Sequence, residues 1–234
     1  MFDSLIWLKE TDSTQNRLKE WNLPYGTVIV ADRQTKGRGR KGRKWVSQEG
    51  GLYFSFLLDP KRYKELIQLP LILGYALSRA LEGLSGVSFK LKWPNDVYSE
   101  NKKVSGILCE LYREKLIVGI GVNLNQKSIP EEIKERATSL YIITGREINR
   151  KEALLKILGN ISENLKAFEE KGFKAFKEKI EEKLLYIDEE VILLDEEKSF
   201  RGKFIGLSQR GGALIYTDEG IREFLSGDLS LRKV

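Results

Sequence analysis

Apolar residues alternate with polar ones, or run in short blocks, through most of the first half of the chain. That pattern predicts strands at 4–9, 27–32, 52–58, 87–92, 96–98, 103–111 and 115–124, with 27–32 (TVIVAD) reading as a buried one. Helical spacing takes over in four places. The first is 15–21, behind the turn and N-cap cluster Thr11-Asp12-Ser13-Thr14. The second is 64–83, where Pro70 marks a break or an early turn. The third is about 150–169, capped by Asn149 with Glu152 three residues later, and the fourth is about 172–185. Near Asp188 the texture changes to short apolar runs at 191–194, 200–207, 212–217, 221–225 and 229–232, divided by glycine-rich turns. This predicts an α+β protein of two units, a mixed or antiparallel sheet with helices over residues 1–186 and a small β-barrel over 187–234. A unit of about 45 residues lies near the lower limit for folding alone, so it should lean on its larger neighbour.

Composition narrows the chemistry. Of 234 residues, 41% are hydrophobic and 32% charged, enough apolar content for a real core. No apolar run approaches the ~20 residues that span a bilayer, and Met1-Phe2-Asp3-Ser4 does not begin a secretory signal, so no membrane partner and a cytoplasmic location are expected. Cys109 is the only cysteine and there is no histidine, which excludes Ser-His-Asp and Cys-His catalysis, an internal disulfide and histidine-ligated metals. Any catalysis must use Lys, Arg, Asp, Glu, Tyr or backbone groups. The net charge of +6 sits in one place: residues 36–44 (KGRGRKGRK) hold six cations and no acid, and the remaining 34 basic and 34 acidic residues cancel. A nucleic-acid surface usually spreads its charge over a face. A local cluster suits a compact, highly charged anion such as a nucleoside triphosphate.

Three segments carry candidate chemistry. In Gly37-Arg38-Gly39-Arg40-Lys41-Gly42-Arg43-Lys44-Trp45, glycines allow close backbone approach and arginines offer bidentate contacts to carboxylate or phosphate. A solvated basic hairpin or RNA-binding arm has the same composition. In Lys92-Trp93-Pro94-Asn95-Asp96, Pro94 interrupts the ladder so that Asn95 and Asp96 can face a cleft, and Lys103 heads the next strand within reach of it; an ordinary hairpin with a surface lysine reads identically. Gly119-Ile120-Gly121-Val122-Asn123 leaves one strand face bare, room for a flat ring with Asn123 at its edge or for close strand–helix packing.

Taken together, these segments make the chain resemble the biotin–protein ligase family (biotin–[acetyl-CoA-carboxylase] ligases). The matches are Asp12-Ser13-Thr14, Gln34, the 37–45 run, Lys92-Trp93-Pro94-Asn95-Asp96, Lys103 with Gly106-Ile107-Leu108, Gly121-Val122-Asn123 and Ala137-Thr138-Ser139-Leu140. Gln48-Glu49 replaces a more usual Ser-Pro type turn. The resemblance implies a class II synthetase-like catalytic fold with an SH3-like C-terminal barrel. It implies an ATP-dependent, AMP-forming ligase with two half-reactions. Biotin's carboxylate attacks the α-phosphate of ATP to give biotinyl-5′-AMP and pyrophosphate, and a lysine amine of a biotin carboxyl carrier protein then takes the biotinyl group. Biotin and ATP are substrates, Mg²⁺ arrives with the ATP phosphates, and no metal site of the protein's own is expected.

The roles it implies follow residue by residue. Ser13, Thr14, Gln15, Gln34, Gly37, Arg38, Gly39, Arg40, Lys103 and Gly106 bind biotin. Arg40, Trp45, Asn95, Lys103 and Asn123 bind the nucleotide. Arg40 and Lys103, the catalytic cations, contact the biotin carboxylate and the α-phosphate, Lys103 stabilises the charge that develops in transfer, and Asp96 positions the incoming amine. The matches begin without the DNA-binding domain of the family's repressor members, so specific DNA binding is not expected; homodimerisation is left open. Two rivals remain. A lipoate–protein ligase shares the fold and the adenylation logic, but the basic loop is of the biotin type. A nucleic-acid-binding protein using that loop leaves Lys92-Trp93-Pro94-Asn95-Asp96 unexplained.

Overall fold

The structure, a computed structural model, describes residues 1–195 and 198–231. A seven-stranded mixed sheet forms its centre, in the order β1 (Ser4–Thr11), β2 (Thr27–Gln34), β3 (Leu52–Leu58), β7 (Lys115–Val122), β6 (Lys102–Tyr112), β5 (Asp96–Ser99), β4 (Lys90–Lys92). β1 and β2 run parallel, joined by the short helix α1 (Thr14–Glu20); every other neighbouring pair in this sheet is antiparallel. The predicted α+β class holds.

The two faces of the sheet differ. One is covered by α2 (Leu69–Ser85) and α4 (Arg150–Lys171), which bury Val28, Val30, Phe54, Phe56, Val118 and Ile120 in the main core. On the other, Leu18 of α1 forms a small cluster with Ile29, Leu57 and Ile117, flanked by Ile6, Leu8 and Trp21. β3 is buried along its whole length, which is why its sequence runs apolar instead of alternating. Its odd positions, Tyr53 and Ser55, rise on the thinly covered face beside Gly121 and Gly119 of β7. That face is where the sheet remains open.

Several boundaries move for physical reasons. The helix predicted at 64–83 starts at Leu69 with Pro70 in its first turn, where the missing N–H costs nothing, and ends on Gly86 in the left-handed region (φ 75°). The strand predicted at 87–92 shrinks to 90–92, because Phe89 N–H is taken by the Glu82 side chain. The last helix of the larger unit, α5 (Lys174–Glu181), is shorter than 172–185; beyond it Lys183 and Leu185 bond to Leu91 and extend the sheet edge. A five-residue helix, α3 (Leu140–Thr144), lies where no helix was predicted, with Ser139 Oγ capping Ile142 N–H. Asn149 caps α4 as predicted, accepting from Lys151 and Glu152 N–H.

The C-terminal strands β8 (Glu190–Asp195), β9 (Lys198–Leu207), β10 (Ala213–Thr217), β11 (Gly220–Phe224) and β12 (Asp228–Leu231) form a small antiparallel sheet in the order β11-β10-β9-β8-β12. Arg232, the end of the strand predicted at 229–232, lies outside the described residues, as do 196–197 and 233–234 of the predicted barrel. Val191, Leu193, Phe204, Ile215 and Leu229 of this sheet belong to the same core as the central sheet, so the small unit leans on the large one as its size requires. Among the described residues no helix is long and apolar enough to cross a membrane.

Candidate active site

The open face carries a cavity of about 370 Å³. Its floor is a strip of glycine: Gly106 of β6 lies directly opposite Gly121 of β7, and Gly119 is two residues farther along. The predicted flat ring does pack on this strip, and it is the protein's own Trp45. A Cβ on Gly106 would come within 2.9 Å of the Trp45 ring, one on Gly121 would collide with it, and one on Gly119 would meet Gln15 Cδ at 2.7 Å. Glycine is therefore required by close approach. The Trp45 Nε1–H is buried on the strip without a hydrogen-bond partner.

One wall is neutral and polar. The turn between β1 and α1 is organised by Asp12, whose carboxylate accepts from Ser13 N–H, Thr11 Oγ1, Asn16 Nδ2 and Arg17 Nη2. Burial acts to raise its pKa, but these hydrogen bonds outweigh it and hold the carboxyl at about 2. The turn presents Ser13, Thr14 and Gln15, all at least nine-tenths buried. Gln34 Oε1 accepts from Thr14 N–H at 2.9 Å, Thr14 Oγ1 lies 2.6 Å from Ser55 Oγ, and Gln34 Nε2 donates to Ser47 Oγ at 2.9 Å. Gln15 Nε2 donates to the Leu108 carbonyl at 3.2 Å. Ser55 was missed in the sequence, although a hydroxyl amid the apolar β3 was the available signal.

The opposite wall is charged and built within one hairpin. Lys103 Nζ lies 2.7 Å from Asp96 Oδ1 and 5.2 Å from the centre of the Trp45 ring. Asn95 Nδ2 donates to Ile107 O at 2.7 Å, while its Oδ1 accepts from Arg40 Nη1 at 3.1 Å. Asn123 lines the cavity but spends its amide on Thr138 O and on Gln126, fastening the segment that follows β7.

The basic segment forms the roof. It is a small hairpin, with Gln34 bridged to Ser47, Arg38 to Lys44, and Gly39 N–H bonded to Arg43 O at 2.7 Å. Its tip turns through Lys41 and Gly42, both in the left-handed region. By composition this loop has little but Trp45 to hold it down; the fold supplies what the loop lacks. Arg38 pairs with Glu110, which Lys19 also approaches at 3.1 Å. Arg43 reaches Asp228 at 3.1 Å, with Arg40 and Lys41 at 3.9 and 4.0 Å from the same carboxylate, and Arg40 also donates to Gly227 O. Burial lowers the pKa of Arg40 while Asp228 and Asp96 oppose that, and a guanidinium stays charged throughout.

Ser13, Thr14, Gln15, Gln34, Arg38, Gly39, Arg40, Trp45, Asn95, Asp96, Lys103, Gly106 and Asn123 therefore all line one cavity. Gly37 does not: it is buried against the returning strand of its own loop, where a Cβ would collide with Trp45 O. Asp228, like Glu110, carried no sequence signal, since it lies 185 residues from Arg43. Among the described residues no group of three or more His, Cys, Asp or Glu side chains is placed to hold a metal ion. The arrangement can seat a flat polar ring at one end of a cavity and a carboxylate or phosphate at the other, between Lys103 and Arg40.

Known proteins resemble this chain in sequence and fold. The sequence pattern described as Biotin/lipoate A/B protein ligase family matches residues 7–126, and that of the Biotin protein ligase C terminal domain matches 186–232. A biotin protein ligase from Aquifex aeolicus, solved in complex with biotin and ATP, is 66% identical with a TM-score of 0.94, each chain covered over 100%. The bifunctional ligase/repressor BirA of Bacillus subtilis is 36% identical over 96% of this chain and 72% of its own length. A biotin–[acetyl-CoA-carboxylase] ligase of Mycobacterium tuberculosis is 35% identical over 49% of this chain and 45% of its own.

Proposed function

This chain belongs to the biotin/lipoate A/B protein ligase family, and we propose that it joins biotin to a lysine of a carboxyl carrier protein by way of biotinyl-5′-AMP. The observation that carries this reading is the polarity of the cavity: neutral donors and acceptors at one end, Lys103 and Arg40 at the other. A ureido ring presents two N–H donors and one carbonyl acceptor, and Ser13, Thr14, Gln34 and Ser55 offer matching groups. Held by that neutral wall, the ring system lies at the far end of the cavity from the cations, and the valerate chain runs past Trp45 to bring its carboxylate toward Lys103 and Arg40.

In the first half-reaction a carboxylate oxygen attacks the α-phosphorus of ATP, and pyrophosphate leaves. No proton moves, so the absence of histidine costs nothing. The barrier is lowered by fixed cations where negative charge accumulates and by holding the reactants in line. Lys103 and Arg40 do the first, and Asn95 keeps Arg40 in place. Mg²⁺ enters with ATP as part of the substrate. In the second half-reaction an amine must be held and deprotonated. Asp96, already 2.7 Å from an ammonium in Lys103, is suited to orient another.

In this reading residues 1–186 are the catalytic unit, and the small β unit expected over 187–234 takes part through Asp228 and Leu229 at the cavity rim. The loop arginines point at Glu110, Asp228 and the cavity, an arrangement that favours a small anion over a nucleic-acid surface. The test is pyrophosphate release measured with biotin, with lipoate and with neither. Release with biotin alone is expected; preference for lipoate, or release independent of both, overturns the reading.

A further inference from the structure

The cations of the cavity are not equivalent. Arg38 is paired with Glu110, Arg40 and Arg43 with Asp228, and Lys103 with Asp96. Lys44 and Arg136 are exposed and solvated. Lys92 fits neither class. It is partly buried and lines the cavity, yet among the described residues no carboxylate lies within 4.0 Å of its ammonium and no hydrogen bond engages it. Two aromatic faces hold it instead, Tyr98 at 5.5 Å and Tyr186 at 6.0 Å from Nζ to ring centre. Burial lowers its pKa, which Asp96 partly offsets. A cation partly withdrawn from water and given no anion within ion-pair distance is poised for one that arrives.

Its position says which part of the substrate arrives there. Lys92 lies directly opposite Asp96 in the β4–β5 register. From the glycine floor outward the strands run β7, β6 with Lys103, β5 with Asp96, then β4 with Lys92. Neighbouring strands are about 4.8 Å apart, so β4 lies roughly 10 Å beyond β6, a gap that a polyphosphate and two lysine side chains bridge. A nucleotide with its α-phosphate at Lys103 runs its outer phosphates toward β4. We propose that Lys92 binds the β- and γ-phosphates of ATP and stabilises pyrophosphate as it departs. This rests on the adenylating function proposed above. As the carboxylate oxygen bonds to the α-phosphorus, the bond from that phosphorus to the bridging oxygen breaks, and the electron pair leaves on pyrophosphate beside the Lys92 ammonium.

The test separates the half-reactions in Lys92→Met, Lys92→Gln and Lys92→Arg. In the neutral variants the KM for ATP, and the KM for pyrophosphate in reversal of biotinyl-AMP formation, should rise tenfold or more. Biotin affinity and transfer from preformed biotinyl-AMP to an acceptor lysine should stay within twofold. Lys92→Arg should recover part of the pyrophosphate effect. A purely structural role would depress both half-reactions together, and that result overturns the proposal. So does an unchanged pyrophosphate KM in a folded neutral variant, or loss of fold in both neutral variants. Inactivity of the unmodified protein with biotin would instead sink the enzyme reading itself.

Discussion

The two charged walls of the cavity are built by opposite means. On the β4–β6 hairpin, Asp96 and Lys103 stand on adjacent strands, and their ion pair closes within a dozen residues of chain. The roof over residues 36–45 carries six cations with no acid among them, and its carboxylate partners come from afar, Glu110 on β6 and Asp228 on β12. The hairpin inherits its geometry from backbone pairing. The roof inherits its geometry from side chains that meet only after the whole chain has folded. A charge held by backbone pairing stays fixed, whereas one held by distant side chains depends on the whole fold.

Lys103→Ala puts the heaviest load on this contrast. Removing a fixed cation from the point where charge develops should slow adenylate formation by about 10²–10³-fold, or roughly 3–4 kcal/mol. Biotin affinity should fall far less, since the neutral wall is intact. Single-turnover kinetics with calorimetric biotin binding checks this, and a variant with a normal single-turnover rate would show the hairpin charge to be idle.

Arg40→Gly attacks the roof instead. It removes charge-assisted hydrogen bonds worth about 1.5–3 kcal/mol each. Biotinyl-AMP should escape roughly tenfold faster or more and label exposed lysines indiscriminately. Mass-spectrometric mapping of modified lysines on a bystander protein reads this directly; unchanged selectivity would mean that Arg40 does not retain the intermediate.

Asp12→Asn tests the neutral wall through the turn that carries Ser13 and Thr14. The Asp12 carboxyl titrates at about 2 when folded, below its ordinary 3.8, so its stabilisation is complete above 3.8 and is lost as pH falls through about 2. The variant should be about 1–2 kcal/mol less stable at neutral pH, with the gap closing across that acidic window. Urea melts at pH 7 and near pH 2 check it, and a gap that persists at low pH would refute the cause.

The smallest effect belongs to Asp228→Asn. Its carboxylate is one-third exposed and its pairs with the loop are partly screened, so about 0–1 kcal/mol is at stake. The variant should show faster proteolysis of the loop with little change in melting temperature, and high salt should produce the same change in the native protein. Equal protection in both proteins would mean that the roof is held without Asp228.

Much of this was legible in the chain. The apolar blocks at 27–32, 52–58 and 115–124 identify β2, β3 and β7, because strands buried in a sheet have no polar alternative. Asn149 marks the start of α4, because a helix N-terminus needs an acceptor for its free N–H groups. Less was legible where tertiary contacts set the ends. Residues 87–89 read as strand but yield to the Glu82 side chain, and 140–144 fold as a helix too short to carry a period.

The sequence by itself determined the local chemistry: a cation-rich loop with alternate glycines, a lysine and an aspartate separated by one turn, and a strand bare on one face. These follow from residue type and spacing along a few bonds of chain. Only the tertiary structure decided that Trp45 is the ring on the glycine strip, that Gly37 turns inward, that Glu110 and Asp228 pair with the roof, and that Lys92 faces the cavity between two tyrosine rings with no carboxylate of the described residues within 4.0 Å. The physical reason is range. Backbone pairing and turn preference act between near neighbours, whereas charge compensation and ring packing depend on distance in space, which segments such as those of Arg43 and Asp228, 185 residues apart, acquire only in the folded chain.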